Sequence, residues 1–483
     1  MYSRTYRPSI GRQSNSLRRK REATLINSLK KENCHYSPRV TLAALGLKIN
    51  SLKLLDPIKY NVVVLQKSIR HTPFQKLADA FIAILAGAHG LAEINTRVRS
   101  DKALQHAFGR KDCADQSVVQ ETLNACTKLN VQQMQQALDV IFRKHSSACR
   151  HNYKERLQLL DVDMTGMPCG PNQEGSRKGY FGENNIRWGR QLGRVIAAHY
   201  EEIVVDQLFT GDVQLTTALQ PLVLAAEQTL ELDEAKRRRT VIRVDAGGGS
   251  LDDVNWCLER GYHFHGKTYS SHRAEPLAAT VEQWYTNIQQ PERQVGWITI
   301  DDPSYVRPVQ RLALRWRKKK GGWKHAILLS TLAPKDVIAL MDLPVDRVRN
   351  PRAVALAYAK LYDKRGGAVE VEIKEGKQGL GIVRRSKKKF TAQQMLVLLG
   401  ALAHNVLVWS RRWLMSAAPW LASYGALRLV RDVLGISGLV EVDQNGATTR
   451  IVLNKGAPQV SYLAKAFRSL LRPQQIAVGV EQI

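Results

Sequence analysis

The sequence predicts an α/β protein whose core is a mixed sheet, with a helical domain before it and a β-rich insertion within it. Three observations predict this. Between residues 157 and 268 the apolar runs read strand, strand, strand, helix, strand, helix, strand. Residues 46–152 carry apolar positions at helical spacing, and residues 273 to about 355 hold Trp- and Arg-rich candidate strands before helical periodicity returns.

In chain order, residues 1–45 combine Arg, Lys, Ser and Asn, as in SLRRKREATLINSLKK, and predict a basic flexible arm. The segment PFQKLADAFIAILAGAHGLAEI places Phe74, Leu77, Phe81, Ile84 and Leu85 on one helical face, and DQSVVQETLNACTKLNVQQMQQALDVIFRKH reads as two helices meeting at Leu129-Asn130. Residues 46–152 therefore form a helical domain, for which DNA binding and plain helical packing are equally good readings. LQLLDVD is a short apolar strand ending in acids, and QLGRVIAAHY and EEIVVDQLF are β-rich runs joined by a tight turn. A helix with Leu215, Leu219, Leu222 and Ala226 on one face follows, then TVIRVD, which stops at DAGGGS, the helix DDVNWCLERG and the strand YHFHGKTY. That order is the one found in ribonuclease H-like folds. The first part of this core spans 153–272, the insertion 273–355 (QVGWITI, VQRLALRWRKKKGGW, KHAILLS), the second part 356–415 with a long helical stretch, and residues 416–483 look mixed.

Charge narrows the function. Lys and Arg number 72 against 43 Asp and Glu, a formal +29 spread along all 483 residues. Such a field attracts polyanions, of which nucleic acid is the commonest. No apolar run of about 18 residues and no basic amphipathic helix flanked by a lipid-anchor signal argue for a membrane. The six cysteines form no C-x-x-C pair, so they predict neither a disulfide framework nor a structural zinc site, and suit a reducing cytoplasm. The run Gly247-Gly248-Gly249 is not followed by Gly-Lys-Ser/Thr, so a nucleotide site is not supported, and close passage of backbone or DNA explains it better.

Phosphodiester transfer needs little covalent help from protein but does need metal ions to activate the attacking oxygen and neutralise the leaving one. Hard Mg2+ or Mn2+ ions take carboxylates, and two ions about 3.5–4 Å apart need acids converging from different elements. Asp163 and Asp245 each end an apolar strand, and in the sheet order above those ends can lie side by side. Asp161 shares the sheet face of Asp163 and is its alternative or assistant. The third acid is Glu370, two helical turns from Lys377 with Lys374 between them on that face; upstream, Tyr362 and Arg365 can reach the same DNA strand.

The segments DVDMTG, IRVDAGGGS and Y-x2-R-x4-E-x6-K resemble the three signatures of bacterial insertion-sequence transposases of the DDE class, in the branch with a Tyr-Arg-Glu-Lys motif; SRKGYFG, GRQLGRV and LAHNVLVWSRRW add to the likeness, which covers residues 70–415. The resemblance implies a ribonuclease H-like core with a β-rich insertion before the glutamate. It further implies Asp163, Asp245 and Glu370 as metal-binding catalytic acids for two Mg2+ or Mn2+ ions, with Tyr362, Arg365 and Lys377 on transposon-end DNA. The interval from Arg365 to Glu370 is one residue longer than the family's usual one, with Gly366-Gly367 inside. Glu372 is the alternative register, at the cost of the seven-residue spacing to Lys377.

The expected function is thus a DNA transposase that acts on terminal inverted repeats as a homodimer, in the cytoplasm on the bacterial nucleoid. A structure-selective nuclease and a non-catalytic, domesticated DNA-binding protein are the alternatives. Trp284, Trp297, Trp316 and Trp323 either stack on an extruded base or pack the insertion, the commoner use of such residues. His404-Asn405, on an apolar helix, reads as a satisfied core pair.

Overall fold

Local capping chemistry starts the helical half. The computed structural model describes residues 33–67, 70–181, 186–268, 271–288, 290–319, 321–365, 380–381 and 386–483. After a short strand β1 (Cys34–Ser37) come α1 (Val40–Ser51) and α2 (Pro73–Leu85). Thr72 and Gln75 form a reciprocal capping box at the start of α2, with Pro73 in its first turn. A second box, Thr127 with Asn130, begins α4 (Lys128–His145) directly after α3 (Gln116–Ala125). The helix break therefore falls at Cys126-Thr127 rather than at Leu129-Asn130, because the Thr127 side chain takes the orphan N–H of Asn130. Ordered structure also starts inside the expected 1–45 arm. β1 pairs with Gly438–Val442, a partner too distant in sequence for local periodicity to reveal.

The main sheet has ten strands. In chain order they are β2 (Gln158–Pro168), β3 (Arg177–Tyr180), β4 (Ile186–Ala197), β5 (Glu202–Thr210), β6 (Thr240–Val244), β7 (His263–Thr268), β8 (Trp284–Asn287), β9 (Gln290–Ile298), β10 (Gln310–Arg317) and β11 (Trp323–Ser330). Their spatial order runs β5-β4-β2-β6-β7-β11-β10-β9-β8, with β3 also paired to β4. β4 is antiparallel to both of its neighbours β5 and β2, whereas β6 is parallel to β2 and β7 parallel to β6. β11, β10, β9 and β8 then continue antiparallel from β7, so the strands of the expected insertion lengthen the same sheet. This is the mixed α/β architecture that the alternation of apolar runs predicts.

Helices cover both faces. α5 (Leu215–Leu230) and α6 (Leu251–Glu259) precede the parallel strands β6 and β7, and Leu222 of α5 lies against Gly193 on β4. α7 (Pro351–Arg365) covers the opposite face, where Arg243 of β6 bonds the Leu361 carbonyl. α8 (Phe390–Met415) is long and apolar enough to cross a membrane, but 94% of its most apolar window is buried inside the protein. Two amides on α8 close the outer edge of β5: Asn405 bonds both the N–H and the carbonyl of Ile203, and Gln394 bonds the Leu208 N–H and the Asp206 carbonyl. His404 Nε2 bonds the Glu201 carbonyl, and both His404 and Asn405 are buried in the core, as their apolar setting predicts. β12 (Gly438–Val442), β13 (Thr448–Asn454) and β14 (Ala477–Glu481) form a second sheet with β1, packed by α9 (Val460–Leu471).

Glu202, at the start of β5 and wholly buried, joins three of these parts. Its carboxylate accepts from Ser146, from the N–H groups of Ser147 and Ala148, from the Trp409 indole and from Arg412. Glu202→Gln turns a donor toward these donors and strips Arg412 of its counter-charge. We expect a loss of about 3 kcal/mol in urea unfolding; a loss under about 1 kcal/mol would show that the carboxylate is not the anchor.

Candidate active site

Strand register puts two acids at one rim. β2 and β6 are parallel neighbours with Asp161 opposite Arg243, so two residues further on Asp163 and Asp245 leave the same end of the sheet. Adjacent strands lie about 4.8 Å apart. β6 stops at Val244, while β2 continues to Pro168 paired only with β4, which opens the space beside Asp163. An open cleft of about 750 Å³ borders this rim, lined by Asp163, Asp245, Thr165, Tyr180, Arg187 and Gln214.

Each acid is held by its own loop. Asp163 Oδ1 accepts the Met164 N–H at 2.7 Å, and Oδ2 lies 3.3 Å from Arg365 Nη1. Asp245 Oδ1 caps the turn after β6 by accepting the Gly247 N–H at 2.8 Å. The glycine run is explained by backbone passage: a Cβ on Gly249 would stand 2.1 Å from the Lys267 carbonyl of β7. Burial pushes the Asp163 carboxyl up to about 6; Arg365 opposes the rise and the nearby charge of Asp245 adds to it.

Asp161 does not assist at the rim. Both of its oxygens are engaged by Arg243, at 2.5 Å from Nε and 2.7 Å from Nη2, and the pair is buried. α7 brings Tyr362 and Arg365 to the site. Both are buried, and the Arg365 guanidinium turns inward to Asp163 while standing 5.5 Å from the Tyr362 ring centre. Glu370, Glu372, Lys374 and Lys377 lie outside the described residues. Among the described residues no group of three acids, histidines or cysteines could hold a metal ion. The donors that are present nonetheless fit a hard divalent cation: two carboxylates at adjacent strand ends, close enough for their charges to repel.

Sequence reading missed Lys267. It sits on the β7 face that carries His265, with its ammonium 4.5 Å from the Tyr362 ring centre and 5.5 Å from that of Trp316. Burial, chiefly, lowers its pKa, with Arg293 adding to the effect and Asp363 and Asp245 opposing it. The one available signal was alternation along YHFHGKTY, which aligns His263, His265 and Lys267. The four insertion tryptophans divide between faces. Trp297 packs on Tyr358 of α7, whereas Trp284 and Trp323 enclose the Arg315 guanidinium at 3.9 and 4.4 Å. All four serve packing or cation–π contacts in this structure.

A family model described as "Transposase DDE domain group 1" matches residues 64–475, most of the chain. No curated protein matches. Among solved structures, the chain is similar to one titled "Cryo-EM structure of piggyBac transposase synaptic complex with hairpin DNA (SNHP)", with 12% identity, a TM-score of 0.41, and coverage of 91% of this chain and 82% of that one.

The raised Asp163 carboxyl sets a pH test. Because the folded state binds this proton more tightly than the unfolded one, the associated stability is complete below about pH 4 and is lost as pH rises through about 6. Between pH 4 and 7, wild type should therefore lose up to about 3 kcal/mol relative to Asp163→Asn in urea unfolding. A pH-independent difference would mean that Asp163 titrates normally.

Proposed function

Because the chain belongs to the transposase DDE domain family, whose members are metal-dependent DNA-cleaving enzymes, we propose that it cuts at the terminal inverted repeats of a mobile element and joins the freed ends to new DNA. The observation that carries this reading is the rim itself: Asp163, where β2 runs on past the end of β6, and Asp245, just after β6, sit on neighbouring parallel strands, and α7 sets Arg365 against the first of them. The order β5-β4-β2-β6-β7, antiparallel through the first three and parallel through the last three, supports a ribonuclease H-like core.

Asp163, Asp245 and Glu370 would hold two Mg2+ or Mn2+ ions. When bound, these ions polarise the scissile phosphate and lower the pKa of the attacking water or 3'-hydroxyl. The protein's own groups hold the carboxylates in place, through the Met164 and Gly247 amides, and shape the charge around them. Arg365 offsets the Asp163 charge, and with Tyr362 it faces the strand at the reacting phosphate. Lys267 adds a cation under the Tyr362 ring, and Lys374 and Lys377 contact the phosphates next along the strand. Two element ends must meet, so a homodimer on DNA is the working assembly, acting in the bacterial cytoplasm on the nucleoid. The +29 charge supports DNA affinity that falls steeply with salt.

The test is cleavage and joining of labelled DNA carrying the element's ends, with Mg2+ or Mn2+. Asp163→Asn, Asp245→Asn and Glu370→Gln should each lose both activities by more than about 10²-fold, beyond the loss caused by disturbing a ligand's supporting partner. Cutting without joining would replace the transposase reading with a nuclease. Loss in Glu372→Gln but not in Glu370→Gln would move the register of the third acid. Salt-sensitive binding without turnover would leave a DNA-binding relic.

A further inference from the structure

The Asp161–Arg243 pair touches neither cleft nor solvent, yet it reaches the helix that serves the rim. Asp161 grips Arg243 through Nε and Nη2, and the remaining arm, Nη1, donates to the Leu361 carbonyl at 2.8 Å. A guanidinium is planar and rigid, so two bonds to one carboxylate fix the direction of the third. Leu361 directly precedes Tyr362 and stands one turn before Arg365. We propose that Asp161 and Arg243 are positioning residues. They set the height and rotation of the last turn of α7, and so place Tyr362 and Arg365 over Asp163. This rests on the active site proposed above.

Of the other contacts of α7, the partly exposed Arg293–Asp363 pair holds the same turn from the side of β9, and the rest are poorly suited to that task. Its buried face is rich in small or apolar groups, including Ala355, Ala357, Ala359 and Leu361. Such contacts are non-directional and tolerate a helix shift better than a hydrogen bond does. Tyr358, whose hydroxyl bonds the Leu332 carbonyl, is one turn further from the rim. Nor does stability account well for the pair, since a buried ion pair is often no better than apolar residues of the same volume.

The molecule contains its own control. Arg194 and Asp206 form an equally buried two-pronged pair, at 2.7 and 2.6 Å, with no bond to α7. Asp161→Leu/Arg243→Met and Asp206→Leu/Arg194→Met each remove both charges together and strand neither. In full-length protein, amide exchange at residues 361–365 should quicken by about tenfold in the first variant, the effect of losing one anchoring hydrogen bond, and stay at the wild-type rate in the second. Single-turnover cleavage should fall about 10²-fold in the first, with affinity for the DNA end retained. If the apolar pair does not fold, Arg243→Lys gives the same comparison, because it keeps the charge but cannot hold Asp161 with two bonds and also reach Leu361. Equal exchange in the two double variants would overturn the proposal, as would a loosened α7 with unchanged cleavage. If the wild type itself does not cleave, the proposed function fails, while exchange still decides whether the pair places the helix.

Discussion

Two like charges held close together at a half-dry rim repel each other, and the surrounding architecture exists to tolerate that repulsion. The parallel register of β2 and β6 brings Asp163 and Asp245 out at one end of the sheet. Relief comes from outside the pair. Backbone amides of Met164 and Gly247 each meet one carboxylate oxygen, and Arg365 supplies a buried positive charge. Burial above all, with the charge of Asp245 adding to it, still leaves the Asp163 carboxyl raised to about 6. A divalent cation resolves the repulsion more fully than a proton can, which is why such a rim suits metal chemistry.

The parts legible in the sequence were those whose cause is local. Asp163 and Asp245 could be read because each ends a β-rich run, and strand order followed from the alternation of apolar periods. Asp163 could be preferred to Asp161 because it directly precedes the MTG turn, but what holds Asp161 away from the rim could not be read, since Arg243 lies 82 positions away. Lys267 was missed for a similar reason: a lysine inside a strand reads as a solvent-facing residue until Tyr362 and Trp316 are seen beside it. The tryptophans are a third case. Nothing in QVGWITI or VQRLALRWRKKKGGW tells which of the two faces each will join, because that depends on the pairing of β8 through β11.

The insertion also changes what a ribonuclease H-like reading would lead one to draw. β8 to β11 extend the sheet beyond β7, so α7 lies across strands from both the core and the insertion. Arg293 of β9 pairs with Asp363 of α7 at 2.5 Å, one residue past Tyr362. The helix that serves the rim is therefore gripped from two sides: by β6 beneath its last turn and by β9 beside it.

The union of β1 with β12 has a consequence for how the protein is made. Thr41, at the start of α1, bonds the carbonyl of Val433, 392 positions downstream, and Gly438 lets β12 pass against Val40. During translation at roughly 5–20 residues per second, the first helix must wait on the order of 20–80 s for its partners to emerge. Until then it has only the cover that residues 102–108 give it, and a nascent chain cut short before β12 would leave the rest of its apolar face exposed. Completion of the small second sheet is thus a late step for α1, open only to chains translated through β12.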